Sequence, residues 1–304
     1  MSPAAGCARV RLAPAKINLA LVVGPTRPDG KHEVATVYQR IDLADTITLE
    51  TGPGAGAAPC ATVGDPSGAA AGGVPGAAPT IKVEGFGEDT LVQRALEAVA
   101  AAAAARPAWL AHIDKRIPVA AGLGGGSSDA ATALALANEA LGGAALPAAR
   151  LHAIAMALGA DVPFFLTDAP QLGTGDGAEL APLQLPLDYA VLLLHPAGAV
   201  KPSTGAIYAD FDARDGARGW EARRAVLLAA LASVRAPRDL AALPPNDLAT
   251  SPLAGHILAA GAFRADVTGA GPLLYGLFDD VPAATTAAAE LAPLGAIWIA
   301  RPTC

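Results

Sequence analysis

Aromatic side chains are scarce: six Phe, four Tyr and three Trp make up 4% of 304 residues. Few rings are therefore left to stack on a ligand base. Cysteine is almost absent too. Cys7, Cys60 and Cys304 are odd in number and far apart, with no CxxC or zinc spacing, which excludes a disulfide framework and suits a reducing compartment. Charged residues are only 16%, and basic ones are outnumbered, 21 Lys and Arg against 28 Asp and Glu, for a net charge of −7. That balance excludes a general nucleic-acid binder, which would carry a basic face. Any anionic ligand has to be held by local groups. A run of the roughly 18 strongly apolar residues needed for a membrane span is also missing. Uncharged stretches such as 66–81 and 248–263 contain Gly, Pro or His, so the mean hydropathy of +0.40 is no membrane signal. Residues 1–16 lack a continuous apolar segment, so no signal peptide is expected.

What is present is aliphatic. Hydrophobic residues reach 53%, which excludes disorder over the whole chain. Much of that fraction is alanine, as in 100–105, which buries little area per residue. The length suits one large domain or two ordinary ones. Residues 10–23 alternate as a strand, and a turn at 26–30 leads to a second β segment, 34–50, with an expected break near 43–45. Residues 51–80 are nearly all Gly, Ala and Pro and read as a flexible insertion. A strand is predicted at 81–83, a helix at 90–105 and a strand at 111–117. Helices follow at 127–141 and 147–158, the latter with Pro147 in its first turn and Gly159 at its end. Beyond residue 186 come strands at 189–194, 265–268, 273–278 and 296–299 and helices at 220–234, 253–260 and 281–291. The pattern is α+β in both halves, divided as 1–185 and 186–304.

The most informative stretch is Pro118-Val119-Ala120-Ala121-Gly122-Leu123-Gly124-Gly125-Gly126-Ser127-Ser128-Asp129-Ala130-Ala131. A predicted strand feeds four glycines, and these feed a helix. Glycine permits positive φ and close approach of a ligand to the backbone. Several N–H groups then converge on an anion beside the positive end of the helix dipole. Ser127 and Ser128 add hydroxyls, and Ser127 or Ser128 is also a candidate N-cap. The stretch implies polyphosphate binding. It is neither a Walker A motif nor the dinucleotide fingerprint, because GxxxxGK[ST] is absent and Ser127 stands where a third glycine is required. Asp129, placed in the first helical turn, is explained by the dipole alone.

This loop resembles the ATP-phosphate loop of the GHMP kinase superfamily. Two further signatures occur in the superfamily's order: Pro14-Ala15-Lys16-Ile17-Asn18-Leu19 and Val267-Thr268-Gly269-Ala270-Gly271-Pro272. Arg27-Pro28-Asp29-Gly30-x-His32-Glu33, Ile41-Asp42-Leu43-x-Asp45, Gly159-Ala160-Asp161-Val162-Pro163-Phe164-Phe165 and Asn246-Asp247-Leu248 are similar to one branch. That branch phosphorylates the 2-hydroxyl of 4-diphosphocytidyl-2-C-methyl-D-erythritol in the non-mevalonate route to isoprenoid precursors. The resemblance implies a two-domain α+β fold, with an N-terminal domain like the second domain of ribosomal protein S5 and a ferredoxin-like C-terminal domain. It also implies a cytoplasmic phosphotransferase with an alcohol acceptor, ATP and Mg2+ as cofactors, and a small cytidine diphosphate substrate.

The resemblance carries roles to single residues. Asp161 would be the catalytic base. Pro163 is naturally the first residue of a helical turn, so Val162 is its cap and Asp161 lies outside. Lys16 would be the electrostatic partner of Asp161, although a lysine on a half-buried strand ordinarily faces water. Lys115, Pro118, Gly122, Leu123, Gly124, Gly125, Gly126, Ser127 and Ser128 would bind ATP. Asn18, His32, Tyr208, Thr268 and Gly269 would bind the acceptor, with His32 reading the cytosine edge and Tyr208 stacking on the ring. Lys31 stands where the branch usually has a second stacking tyrosine. Two other classes stay open: a sibling kinase acting on homoserine, mevalonate or a sugar, and a nucleotide-binding regulator without turnover.

Overall fold

The computed structural model describes residues 7–52, 80–87, 90–200 and 202–304. Most of the expected 51–80 insertion, with Cys60, lies outside the described residues, as does Asp89. Two 20-residue strands, β1 (Cys7–Thr26) and β2 (His32–Thr51), pair with each other. The turn between them is closed by Gly30 N–H donating to the Arg27 carbonyl at 3.0 Å, with Gly30 at φ +81°. The chain forms two compact units. The first holds Met1–Ala13, Ala44–Arg116 and Gly125–Thr167; the second holds Pro14–Leu43, Ile117–Gly124 and Asp168–Cys304. The units are interleaved along the chain, because β1 and β2 each contribute to both.

In the first unit β3 (Thr80–Glu84) runs parallel to β4 (Ala108–Asp114), and β4 pairs antiparallel with residues 46–51 of β2. The helices are α1 (Thr90–Ala102), α2 (Gly125–Ala140) and α3 (Ala148–Leu158), followed by a short 3-10 turn, Pro163–Leu166. In α1, Val92, Ala95, Leu96 and Val99 recur at helical spacing and are fully buried, so one apolar stripe packs against α2. Several boundaries differ from the sequence reading. Helix α1 ends at 102 rather than 105, with Ala104 left-handed at φ 51°. Strand β4 sits three residues earlier than expected. Pro147 is the N-cap of α3 rather than its first helical residue. Helix α2 starts at Gly125, not Ser127, so Asp129 falls beyond the first turn, which carries no acidic residue.

In the second unit β2 pairs through residues 36–38 with β5 (Gln171–Thr174), which forms a hairpin with β6 (Glu179–Pro182). A separate antiparallel sheet has the order β10 (Gly295–Ala300), β7 (Ala190–Pro196), β9 (Leu274–Phe278), β8 (Arg264–Val267). The helices of this unit are α4 (Thr204–Ala213), whose Phe211 packs with Leu21, Val23 and Val34 of β1 and β2, and α5 (Trp220–Ser233), α6 (Leu253–Ala259) and α7 (Val281–Leu291). Strand β7 shows the period of two directly. Ala190, Leu192 and Leu194 pack with Ile257, Ala284 and Leu291, while Val191 and Leu193 pack with Ile17, Leu19 and Leu227. Both faces are dry, which explains its unbroken apolar run. The final strand, β11 (Pro302–Thr303), pairs with Arg40 and Ile41.

The expected break at 43–45 is absent. Strand β2 is continuous there, and the loss of apolar alternation marks a change of partner from β11 to β4. Hairpin β5–β6 and helix α4 leave little signal in the sequence, being short and weakly periodic. No helix among the described residues is long and apolar enough to cross a membrane. Leu96 is fully buried in the first unit. Leu96→Ala is therefore expected to cost about 2–5 kcal/mol by transfer and cavity formation, read as a lowered midpoint in urea unfolding.

Candidate active site

The second unit brings together one group of predicted residues. Lys16 is 3% exposed and Thr268 not at all. The Lys16 ammonium donates to Asn18 Oδ1 at 2.6 Å and lies 5.5 Å from the centre of the Tyr38 ring. Asn18 Nδ2 donates to Thr36 Oγ1 at 2.7 Å, and Thr36 Oγ1 donates to the Ala20 carbonyl at 2.8 Å. Asn18 N–H donates to Thr268 Oγ1 at 3.1 Å. A lysine expected on a half-buried strand is thus enclosed, with the Asn18 amide oxygen as acceptor and a ring face beside it. The Lys16 backbone N–H donates to the Leu123 carbonyl at 2.9 Å, tying this strand to the glycine loop.

Glycine is required at two of these contacts. Gly122 has φ +88°, and a Cβ there would lie 2.4 Å from the Thr268 carbonyl oxygen. Gly269 has φ +56°, and its Cβ would lie 3.4 Å from Asn18 Oδ1 and 3.6 Å from the Lys16 ammonium. Pro118 and Gly124 continue the same loop, with Gly124 at φ +70° and even Ala120 at φ +56°. The N-terminal motif, the first half of the glycine loop and the C-terminal glycine motif therefore meet.

The segment Asn246-Asp247-Leu248 had no assigned role from sequence; its side chains brace this meeting point. Asn246 Nδ2 donates to the Val267 carbonyl at 2.9 Å and the Gly269 carbonyl at 2.6 Å. Asp247 Oδ2 accepts from Val23 N–H at 2.8 Å and from Arg223 Nε at 3.1 Å. Tyr275 accepts from Arg264 Nε at 2.9 Å and donates to the Leu19 carbonyl at 3.0 Å. Burial pushes the Tyr275 phenol up to about 12, so it remains a donor. Burial also raises the carboxyl of Asp266, although Arg264 opposes the shift.

His32 and Tyr208 form a second cluster in the same unit. Their ring centroids are 4.7 Å apart with a 31° tilt, and Phe211 meets His32 edge-on at 5.9 Å. His32 Nε2 lies 2.7 Å from Asp212 Oδ1. Lys31 is held by the Asp176 carboxylate rather than standing free over a ring. Burial alone would raise Asp176, but Lys31, the Ala178 N–H and Arg27 outweigh it and hold the carboxyl below its ordinary value.

The remaining predicted residues belong to the first unit. Lys115 donates to Asp45 Oδ2 at 2.5 Å and to Asp129 Oδ2 at 2.7 Å. Both carboxylates are fully buried, and Asp45 Oδ1 also accepts from Arg116 N–H at 2.5 Å. Asp129 is thus an ion-pair partner and not a dipole-stabilised surface acid. Burial pulls the Lys115 amine down, but the two carboxylates outweigh it and raise the amine overall. Gly125, Gly126, Ser127 and Ser128 form the first turn of α2, whose N–H groups have no intrahelical acceptor. Ser128 Oγ is buried and has no hydrogen-bond partner among the described residues. Asp161 is half-buried and stands before the turn Pro163–Leu166, with Val162 as its cap and Pro163 first, as the sequence implied.

The family model for the N-terminal domain of GHMP kinases matches residues 90–168. Proteins named 4-diphosphocytidyl-2-C-methyl-D-erythritol kinase from Anaeromyxobacter sp., Geobacter sulfurreducens and Salinispora arenicola are 36%, 37% and 38% identical to the chain. The alignments cover 92%, 91% and 96% of this chain and 86%, 92% and 90% of theirs. The chain belongs to the 4-diphosphocytidyl-2-C-methyl-D-erythritol kinase family. A crystal structure titled 4-(cytidine 5'-diphospho)-2C-methyl-D-erythritol kinase superposes with a TM-score of 0.72 at 29% identity, covering 97% of this chain and all of that one. A homoserine kinase from Cytophaga hutchinsonii, 15% identical with a TM-score of 0.68 over the whole chain and 96% of its own, shares the fold. The α+β architecture is that of the GHMP kinases. Two braces of this kinase-family chain escaped the sequence reading, Asp45 and Asn246. Both lie in motifs quoted for the family, but pairing across 70 residues leaves no local pattern.

Two outcomes test this geometry. Gly122→Ala is expected to displace the loop from Thr268 and to lower both stability and nucleotide affinity, measured by thermal unfolding with and without ATP. Lys115→Met removes the ammonium that two buried carboxylates share and is expected to cost about 3–5 kcal/mol at neutral pH. The raised amine contributes fully below the ordinary lysine value of 10.5 and loses its contribution as pH rises through the higher folded-state value. The stability gap between wild type and Lys115→Met, read by urea unfolding, should accordingly narrow at strongly alkaline pH.

Proposed function

We propose that the chain transfers the γ-phosphate of ATP to the 2-hydroxyl of 4-diphosphocytidyl-2-C-methyl-D-erythritol, in the non-mevalonate route to isoprenoid precursors. The observation that carries this reading is the enclosed Lys16 ammonium, set with Asn18 and Gly269 where three motifs meet, in a chain whose relatives bear that enzyme's name.

Phosphoryl transfer asks the protein mainly for positioning and charge stabilisation. Gly122, Leu123, Gly124, Gly125, Gly126, Ser127 and Ser128 would hold the phosphates through backbone N–H groups and hydroxyls, with Pro118 and Lys115 beside them. Asp161 takes the proton of the acceptor hydroxyl as its oxygen attacks the γ-phosphorus and ADP leaves. Lys16 would polarise the acceptor oxygen and stabilise the charge that develops on it. Asn18, Thr268 and Gly269 line the acceptor side, and His32 and Tyr208 hold the cytosine.

Among the described residues no group of three or more His, Cys, Asp or Glu could hold a metal ion. Magnesium usually keeps several waters and binds through substrate phosphates and one or two protein ligands. It would supply charge neutralisation on the phosphates. The Ser128 hydroxyl, without a partner among the described residues, is a fitting oxygen for a phosphate or the ion. The division into 1–185 and 186–304 is part of the proposal, supported by a four-stranded sheet formed wholly from residues 190–300. So is a cytoplasmic setting, with a small-molecule substrate and neither nucleic acid nor membrane as partner.

The test is ADP release by purified protein offered the cytidyl acceptor, homoserine or mevalonate. Turnover of the cytidyl acceptor is expected, and turnover of homoserine alone would overturn the reading. Asp161→Asn is expected to lower turnover about 10²–10⁴-fold while ATP binding, followed by calorimetry, is kept.

A further inference from the structure

The contact between His32 and Asp212 has a chemical consequence. His32 is buried at the start of β2, and Asp212 lies near the end of α4 with its side chain half exposed. The Asp212 carboxylate approaches Nε2 at 2.7 Å, and Thr26 Oγ1 approaches the same nitrogen at 3.4 Å. Nδ1 has no hydrogen-bond partner among the described residues. Tyr208 faces the ring and Phe211 meets it edge-on, so the imidazole is gripped by α4 both by its plane and by one nitrogen.

A carboxylate is an acceptor only, so the nitrogen it meets must carry the proton. In a neutral imidazole the other nitrogen is then a bare acceptor. We infer that Asp212 is a positioning residue that fixes the Nε2–H tautomer of His32 and thereby makes Nδ1 a selector for an amino group on the acceptor's base. The inference rests on the proposed reading in which His32 meets the base. Cytosine presents a 4-amino donor, which Nδ1 accepts. Uracil presents a 4-oxo acceptor at the same place, and two lone pairs then face each other. A site built to hydrogen-bond a donor rejects an analogue that lacks it far more strongly than a methylene is rejected, because buried polar groups are left unpaired.

The carboxylate is needed for this, and not merely a polar side chain. In Asp212→Asn the amide can rotate to donate its N–H to Nε2, which moves the ring proton to Nδ1 and turns that atom into a donor. Asp212→Ala removes the constraint. Asp212→Glu keeps a carboxylate within reach.

The test compares kcat/KM for the cytidyl acceptor with that for its uridyl analogue in wild type and the three variants. Alongside it runs nitrogen-15 NMR of the His32 ring at neutral pH in the ligand-free protein. The expected result is that Asp212→Asn and Asp212→Ala lower the cytidyl-over-uridyl ratio by about 10–100-fold. The loss should appear in KM for the cytidyl acceptor rather than in kcat, and Asp212→Glu should restore most of the ratio. NMR should show Nδ1 unprotonated in wild type and protonated in Asp212→Asn. A ratio unmoved in both Asp212→Asn and Asp212→Ala would overturn the inference, as would a wild-type ring protonated on Nδ1. If wild type turns over neither nucleotide, the proposed function falls. CDP against UDP binding by calorimetry then decides the inference in place of kinetics, with equal affinities in wild type counting against it.

Discussion

The enclosed ammonium of Lys16 is the constraint on which the second unit depends. A buried cation is tolerable only where acceptors meet it, and here Asn18 Oδ1 accepts from it at 2.6 Å while the Asn18 amide and N–H are consumed by Thr36 and Thr268. Those links draw the loop after β8 onto β1. The close packing that results leaves no space for a Cβ at Gly122. Asn246 then closes the arrangement from behind by holding the carbonyls of Val267 and Gly269. A chain of obligations therefore runs from one charge to the backbone shape of two glycine motifs.

The first unit solves a similar problem with the opposite sign. Two buried carboxylates, Asp45 and Asp129, share the single ammonium of Lys115. Replacing such a group with apolar residues is often neutral for stability, whereas removing one member is costly. What the trio does achieve is placement. It joins the end of β4 and an early turn of α2 to the middle of β2, so the two anchors on either side of the glycine loop are held by the same lysine. Lys115 is raised rather than lowered by this setting, so it stays a cation at any pH at which ATP would be offered.

Most elements of the fold were legible because their periodicity is strong. The stripe of α1 and the run of β7 could be read directly, and α7 has the predicted limits. The failures have physical causes. Strand β2 changes partner where its alternation lapses, so local pattern suggested an end where pairing carries the strand through. Helix α2 begins inside the glycines, against the low helix propensity of Gly125 and Gly126, so propensity alone put its start too late.

For the site, the sequence by itself determined which residue types are available: a lysine and an asparagine two apart on a strand, four glycines before a helix, and an aspartate just outside a Pro-initiated turn. Those follow from spacing, since a strand period of two and a first-turn proline are local rules. Only the tertiary structure decided that Lys16 is enclosed rather than solvated, that Asp129 is an ion-pair partner, and that Asp212 meets His32. Each depends on contacts across long stretches of chain, 70 residues for Asp45 and Lys115 and 180 for His32 and Asp212. No local preference can encode burial or charge pairing at that separation, because both are set by what else the fold brings near.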